Sequence, residues 1–149
     1  MSDNWLIFVP IDPYFQPTEE GISSAVALAR TEFADAEEVE AQLHDKPSFV
    51  TPGANLESVA CPKCNEEIFE WFMELMDDRY DDGFDSLTIS TPCCEQALSA
   101  NELNFDWQAA FGRFQLDVMN PNVSDASDGF VSMIEEKLST PVALVRCHI

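Results

Sequence analysis

Basic residues are what this chain most conspicuously lacks. Its 149 residues include 7 Lys and Arg against 28 Asp and Glu, a formal net charge of −21. Such a surface repels phosphates, which excludes nucleic acid and anionic membranes as expected partners. No apolar run approaches the roughly 18–20 residues of a membrane span, and the longest early one, Trp5 to Val9, is the length of a strand. Only two His are present, no H-E-x-x-H pair, no Gly-rich phosphate loop and no G-x-S-x-G elbow. The usual signatures of metalloprotease, nucleotide and serine hydrolase chemistry are therefore missing. Asp78 to Ile89 fails as an EF-hand loop, because Tyr80 takes the place of the third-position ligand and Ile89 that of the bidentate Glu. Met1-Ser2-Asp3-Asn4 lacks the basic stretch of a signal peptide, so a cytoplasmic location is expected.

The acidity is not that of a disordered chain. The composition is 46% hydrophobic, with 11 Phe and 3 Trp, enough to build one packed domain. Trp5 to Val9 reads as a strand buried on both faces and ended by Pro10 and Pro13. Thr18 is placed to cap a helix whose inner face carries Ile22, Ala25, Val26, Ala29 and Phe33. A second short helix is expected from Ala36 to Leu43, with Val39 and Leu43 turned inward, and Phe49 to Thr51 reads as a short strand. Asn65 is expected to cap a helix with Ile68, Trp71, Phe72, Leu75 and Met76 on its apolar face, broken at Asp81-Asp82-Gly83. Leu87 to Ser90, Leu103 to Phe105, Arg113 to Met119 and Val142 to Ile149 read as strands, and Val131 to Leu138 as a last helix. Phe114, Leu116 and Val118 are expected to face inward, Gln115 and Asp117 outward. No internal repeat is evident. The order predicts a single-domain α+β fold over residues 1–149, mostly antiparallel, with three to four helices.

Four of the five cysteines stand in two clusters, Cys61-Pro62-Lys63-Cys64 and Cys93-Cys94. In a reducing compartment, separated thiol pairs of this kind point to Zn²⁺ rather than to disulfides. C-P-x-C is a knuckle: the turn aims backbone N–H groups at the thiolates while the two side chains converge. The second pair is less regular. On a strand, adjacent side chains oppose each other and one alone could bind; in a turn after Pro92 both could. The expected ligand set is Cys61, Cys64, Cys93 and Cys94 around a structural Zn, a zinc-knuckle-like staple with no open coordination position. A three-cysteine site completed by His44 or His148 is one alternative, and plain buried thiols another. Cys147 reads as a packing thiol beside Val145, His148 as a surface residue, and His44 as a surface residue at a helix end.

Nine carboxylates and one Arg fall between Glu66 and Asp85. Glu66, Glu67, Glu70, Glu74, Asp77, Asp78, Asp81 and Asp82 form either a solvated helix face or a docking surface for a basic protein. The resulting expectation is a non-enzymatic acidic binding protein, of the bacterial immunity or inhibitor type, that neutralises a cationic toxin or effector. One alternative is a zinc-ribbon adaptor recognised through apolar residues such as Trp107 and Phe111. Another is an enzyme using paired carboxylates.

The run from Cys61-Pro62-Lys63-Cys64 through Trp71, Thr91-Pro92-Cys93-Cys94 and Phe111-Gly112-Arg113-Phe114 to Asn120-Pro121 resembles a family of uncharacterised small bacterial proteins. The opening Pro10-Ile11-Asp12-Pro13 and a closing strand with His near its end add to the likeness. The resemblance implies a bacterial origin and a metal site, and no established activity. Family members have Gly directly after the second cysteine pair, where this chain has Glu95.

Overall fold

The computed structural model describes residues 2–79 and 83–149. The Trp5–Val9 run lies in a strand, β1 (Asn4–Pro10), at the heart of a four-stranded sheet. It pairs antiparallel with β7 (Ala110–Met119) on one side and β8 (Val142–His148) on the other, and β2 (Glu38–Val50) completes the order β2-β7-β1-β8. Leu6, Ile7, Phe8 and Val9 are all buried, as a strand covered on both faces requires.

Two helices cover one face of this sheet. α1 (Glu19–Glu32) begins where Thr18 Oγ1 accepts from the Gly21 N–H at 3.0 Å, with Glu19 and Glu20 in its first turn. α3 (Asp128–Leu138) is capped by Ser127, whose hydroxyl accepts from the Phe130 N–H at 3.1 Å. Ala25, Ala29, Phe33, Phe130, Ile134 and Leu138 pack on Leu6, Phe8, Phe114, Leu116 and Val118. Phe130 meets Phe8 and Phe33 edge-on at 5.6 and 5.1 Å.

The expected helix from Ala36 to Leu43 is instead the start of β2. Val39 and Leu43 fit a helical spacing, but Val39, Ala41 and Leu43 also alternate with Glu40 and Gln42. The register Val39↔Val118, Ala41↔Leu116 and Leu43↔Phe114 fills the free edge of β7. That edge of β7 would otherwise present an unpaired ladder, and the tertiary demand decides an ambiguous period. Leu43 is exposed rather than turned inward.

Between β2 and β7, strands adjacent in the sheet, the chain inserts a second structure with its own core. It contains β3 (Val59–Ala60), α2 (Phe69–Arg79), β4 (Thr88–Ser90), β5 (Ala97–Ser99) and β6 (Asn104–Phe105). β3 pairs with β6 and β4 with β5, as two small antiparallel ribbons. Leu56, Val59, Cys61, Ile68, Phe72, Met76, Phe84, Leu87, Ile89 and Leu98 pack together there. Phe111 of β7 belongs to this core, meeting Phe49 at a tilt with ring centroids 5.2 Å apart and Phe84 edge-on at 5.3 Å.

α2 starts later than the sequence suggests. Asn65 adopts a left-handed φ of 61° at the end of the first cysteine turn, and the helix begins at Phe69. Glu67 supplies the polar partners: its carboxylate accepts from the Phe69 N–H at 2.8 Å, the Val59 N–H at 3.3 Å and the Ser58 hydroxyl. Of the expected apolar face, Ile68, Phe72 and Met76 are buried and Trp71 and Leu75 are half-buried.

Asp117 departs from the outward position expected of it. It is buried within the sheet, accepting from the side-chain amides of Gln42 and Gln115, the latter at 2.8 Å. Burial pushes its carboxyl up against the opposing pull of those amides. His44 is on β2 rather than at a helix end, its Nε2 3.0 Å from Gln115 Oε1. Cys147 is buried beside Val145, as a packing thiol should be.

Candidate metal centre

Four thiols from two turns converge at the rim of the inserted core. The Sγ atoms of Cys61, Cys64, Cys93 and Cys94 all lie within 4.8 Å of one another. Cys61 is 3.7 Å from Cys94, Cys64 is 3.2 Å from Cys93, and Cys93 is 3.9 Å from Cys94. A tetrahedral zinc with Zn–S bonds of about 2.3 Å spaces its sulfurs by about 3.8 Å. The cluster is therefore sized for such an ion, and soft thiolates are the donor set that selects one. His44 and His148 do not join it: His148 Nδ1 is 2.7 Å from Asn4 Oδ1, and His44 faces Gln115.

The backbone explains how the irregular second pair manages this. In the first turn the Cys61 N–H donates to the Glu66 carbonyl at 3.0 Å and the Asn65 N–H to the Cys61 carbonyl at 2.8 Å. In the second, the Thr91 N–H donates to the Gln96 carbonyl at 3.1 Å and the Glu95 N–H to the Thr91 carbonyl at 2.9 Å. The two patterns are identical with an offset of thirty residues, Cys61-Pro62-Lys63-Cys64-Asn65-Glu66 against Thr91-Pro92-Cys93-Cys94-Glu95-Gln96. The chain thus holds an internal repeat, two knuckles facing each other, that its sequence conceals. Only Pro-x-Cys survives in common. Asn65 and Glu95 both turn left-handed, at φ 61° and 55°.

Cys93 and Cys94 are in a turn, and so both reach the centre. Cys94 matches Cys64, while Cys93 takes the place of Lys63. Thr91 takes the place of Cys61. It is buried, its hydroxyl accepting from the Gln96 N–H at 3.2 Å and standing 3.6 Å from Cys94 Sγ.

The electrostatics favour charge on sulfur in this nest of amides. Burial pushes the Cys61 thiol up, but the N–H groups of Cys64 and Lys63 and the thiols of Cys93 and Cys94 outweigh it and bring Cys61 to about 6. At Cys64 the Glu66 N–H favours the thiolate. Protons shared with Cys93, together with burial, push the group up instead, to about 12. Zinc takes its cysteine ligands as thiolates, so its binding displaces the thiol protons.

A strained residue at the second knuckle gives a direct check on its geometry. Glu95 occupies a left-handed conformation that disfavours a side chain with a Cβ by about 1–2 kcal/mol, and glycine would carry no such penalty. Glu95→Gly is expected to stabilise the protein by about 1 kcal/mol after the added flexibility of the unfolded chain is subtracted. Denaturant titration measures it; destabilisation would mean that the turn differs from the one described.

Of the acidic positions, Glu66, Glu67, Glu70, Glu74, Asp77 and Asp78 are exposed around the knuckle and along α2. Asp81 and Asp82 lie outside the described residues. Glu67 is engaged by the fold, its carboxyl held below the usual range by the Ser58 hydroxyl and the backbone N–H groups of Phe69 and Val59. A groove of about 720 Å³ runs beside the metal centre between Glu57, Glu66, Glu70, Trp71, Pro92 and Cys93. A second, of about 820 Å³, mixes Lys46 and Arg79 with Asp45 and Asp77 and is electrostatically balanced. Trp107 is exposed, but Phe111, the other residue expected of an apolar docking site, is buried. Among the described residues no helix is long and apolar enough to cross a membrane. No family model, curated protein or solved structure matches this chain.

Proposed function

We propose that this protein is a non-enzymatic binding protein, its shape fixed by a structural Zn²⁺ on Cys61, Cys64, Cys93 and Cys94, and that its acidic face docks a basic protein. The specific form we favour is a bacterial immunity- or inhibitor-type protein that covers a cationic toxin or effector. Four thiolates leave a tetrahedral ion no open position for water or substrate, which suits a staple better than a catalyst.

The observation that carries the docking half is the exposure of Glu66 on the first knuckle and of Glu70, Glu74, Asp77 and Asp78 along α2. The two ion pairs formed among the described residues, Lys46–Asp85 and Arg146–Asp125, involve none of them. A thiolate-bound zinc adds net negative charge beside the same groove. Such a field speeds encounter with a cationic surface and makes the complex sensitive to salt.

Metal analysis of the reduced protein should return one zinc per chain. Capture from the native host at low salt should recover a basic protein. Raising salt from about 0.05 to 0.5 M is expected to weaken that complex at least tenfold, because the screening length falls severalfold over that range. A complex formed through Trp107 would hardly respond. A salt-insensitive complex, or one unchanged by Glu66→Lys and Glu70→Lys together, contradicts the acidic docking face.

A further inference from the structure

The two knuckles place one of their two cysteines differently, on the inner position in the first and on the outer position in the second. Cys61 opens the first knuckle and is completely buried, as is Thr91 at the matching position of the second. A cysteine at 91 would have supplied the fourth ligand from the interior. The chain draws it from Cys93 instead, the counterpart of the exposed Lys63. Cys64 is the exposed member of the cluster, Cys93 and Cys94 are half-buried and Cys61 is buried, and of these Cys93 is the one in direct contact with Cys64. Their sulfurs, 3.2 Å apart, are closer than those of Cys61 and Cys94 at 3.7 Å or of Cys93 and Cys94 at 3.9 Å.

We propose that the Cys64–Cys93 edge is a site of reversible modification, where a hydroperoxide forms a disulfide and releases the metal. The part concerning the metal rests on the four-thiolate reading above. In the zinc-loaded protein Cys64 is held as a thiolate by the metal, and that thiolate attacks a peroxide oxygen; the O–O bond breaks, hydroxide or alkoxide leaves, and the sulfur becomes a sulfenic acid. The Cys93 thiolate then attacks that sulfur, the S–S bond forms and a hydroxide departs. The two sulfurs together lose two electrons, which the peroxide gains. Zinc itself changes no oxidation state and, left with Cys61 and Cys94 alone, has lost half the ligands that closed its site.

Contact favours this pair: Cys93 is the thiol that touches Cys64, at 3.2 Å. Cys93 and Cys94 are neighbours across a trans peptide, with Cα atoms about 3.8 Å apart, below the roughly 4.4 Å that a relaxed disulfide needs. Cys61 and Cys147 are buried from any oxidant in solution. An exposed thiol with a resolving partner in contact is the arrangement that makes a cysteine an oxidation sensor.

The test treats the zinc-loaded full-length chain with hydrogen peroxide in the presence of a chromogenic chelator. The expected result is stoichiometric zinc release with the loss of two titratable thiols per chain, a Cys64–Cys93 cross-link in the peptide map, and full recovery on adding reductant and zinc. Retention of all thiols at peroxide levels that oxidise free glutathione in the same tube would overturn the proposal. A map that joins any other pair would do the same. The double variant Thr91→Cys, Cys93→Ser, with its ligands drawn inward, is expected to keep its zinc under the same treatment. Should that variant fail to fold, the wild-type map still decides. A reduced chain without zinc counts against the preceding reading alone, since the Cys64–Cys93 cross-link can also be sought in metal-free protein, where the protonated Cys64 thiol reacts more slowly.

Discussion

Stripping the metal is expected to unfold the insertion between β2 and β7 while the four-stranded sheet and its two helices stay folded. The molecule has two principal cores, one formed by α1 and α3 against the sheet and one under the knuckles. The second is built from α2 and ribbons of two and three residues per strand, too short to be stable without a staple. Structural zinc sites supply about 10–16 kcal/mol of apparent binding energy in small peptides, comparable with or above the whole stability of an ordinary domain. Losing it should exceed what the small core can absorb. Cys61→Ser and Cys64→Ala are expected to act as chelation does. Hydrogen exchange reads the outcome: amides of residues 56–105 lose protection, while those of β1, β7 and β8 keep theirs. A chelated protein or a Cys64→Ala variant with its full melting temperature would show that the thiols staple nothing.

Phe111→Ala should be the most damaging change outside the metal centre, and for a different reason. Phe111 extends from β7 into the inserted core, 2% exposed, against Phe49 and Phe84. Phe49 in turn meets Phe72 of α2 edge-on at 5.2 Å, so one aromatic chain ties the sheet to the helix that carries the acidic face. Truncating a buried Phe typically removes about 3–5 kcal/mol, through lost transfer energy and the cavity left behind. In a chain of this size the melting temperature should fall by roughly 10 °C. Zinc content should be unchanged, because the deleted ring supplies no ligand to the centre. A variant that melts within a degree or two of the parent would mean that the two cores do not lean on each other there.

What could be read from the residues depended on whether their signal was local. Thr18 before an acidic turn, the uninterrupted Trp5–Val9 run and the alternation of Arg113 to Met119 each carry their structure within a few positions. The Ala36–Leu43 segment does not. Its apolar residues satisfy both periods, and only the free edge of β7, seventy residues away, selects the strand. Asn65 looked like a helix cap because Asn favours caps, yet Asn also tolerates left-handed backbone, and the knuckle required the latter. For the metal centre, C-P-x-C announced itself, and Cys93-Cys94 looked irregular because its repeat partner at 91 is threonine. The backbone hydrogen bonds restore the symmetry that the substitution hides. The acidic run was plain in the composition, whereas the engagement of Glu67 by Ser58, Val59 and Phe69 depended on the fold around it.

The most direct test is X-ray absorption at the zinc edge on the reduced, purified protein. The account requires a single shell of four sulfur atoms at about 2.3 Å and no nitrogen or oxygen neighbour. A shell containing nitrogen or oxygen, or protein that carries no zinc to measure, would contradict it.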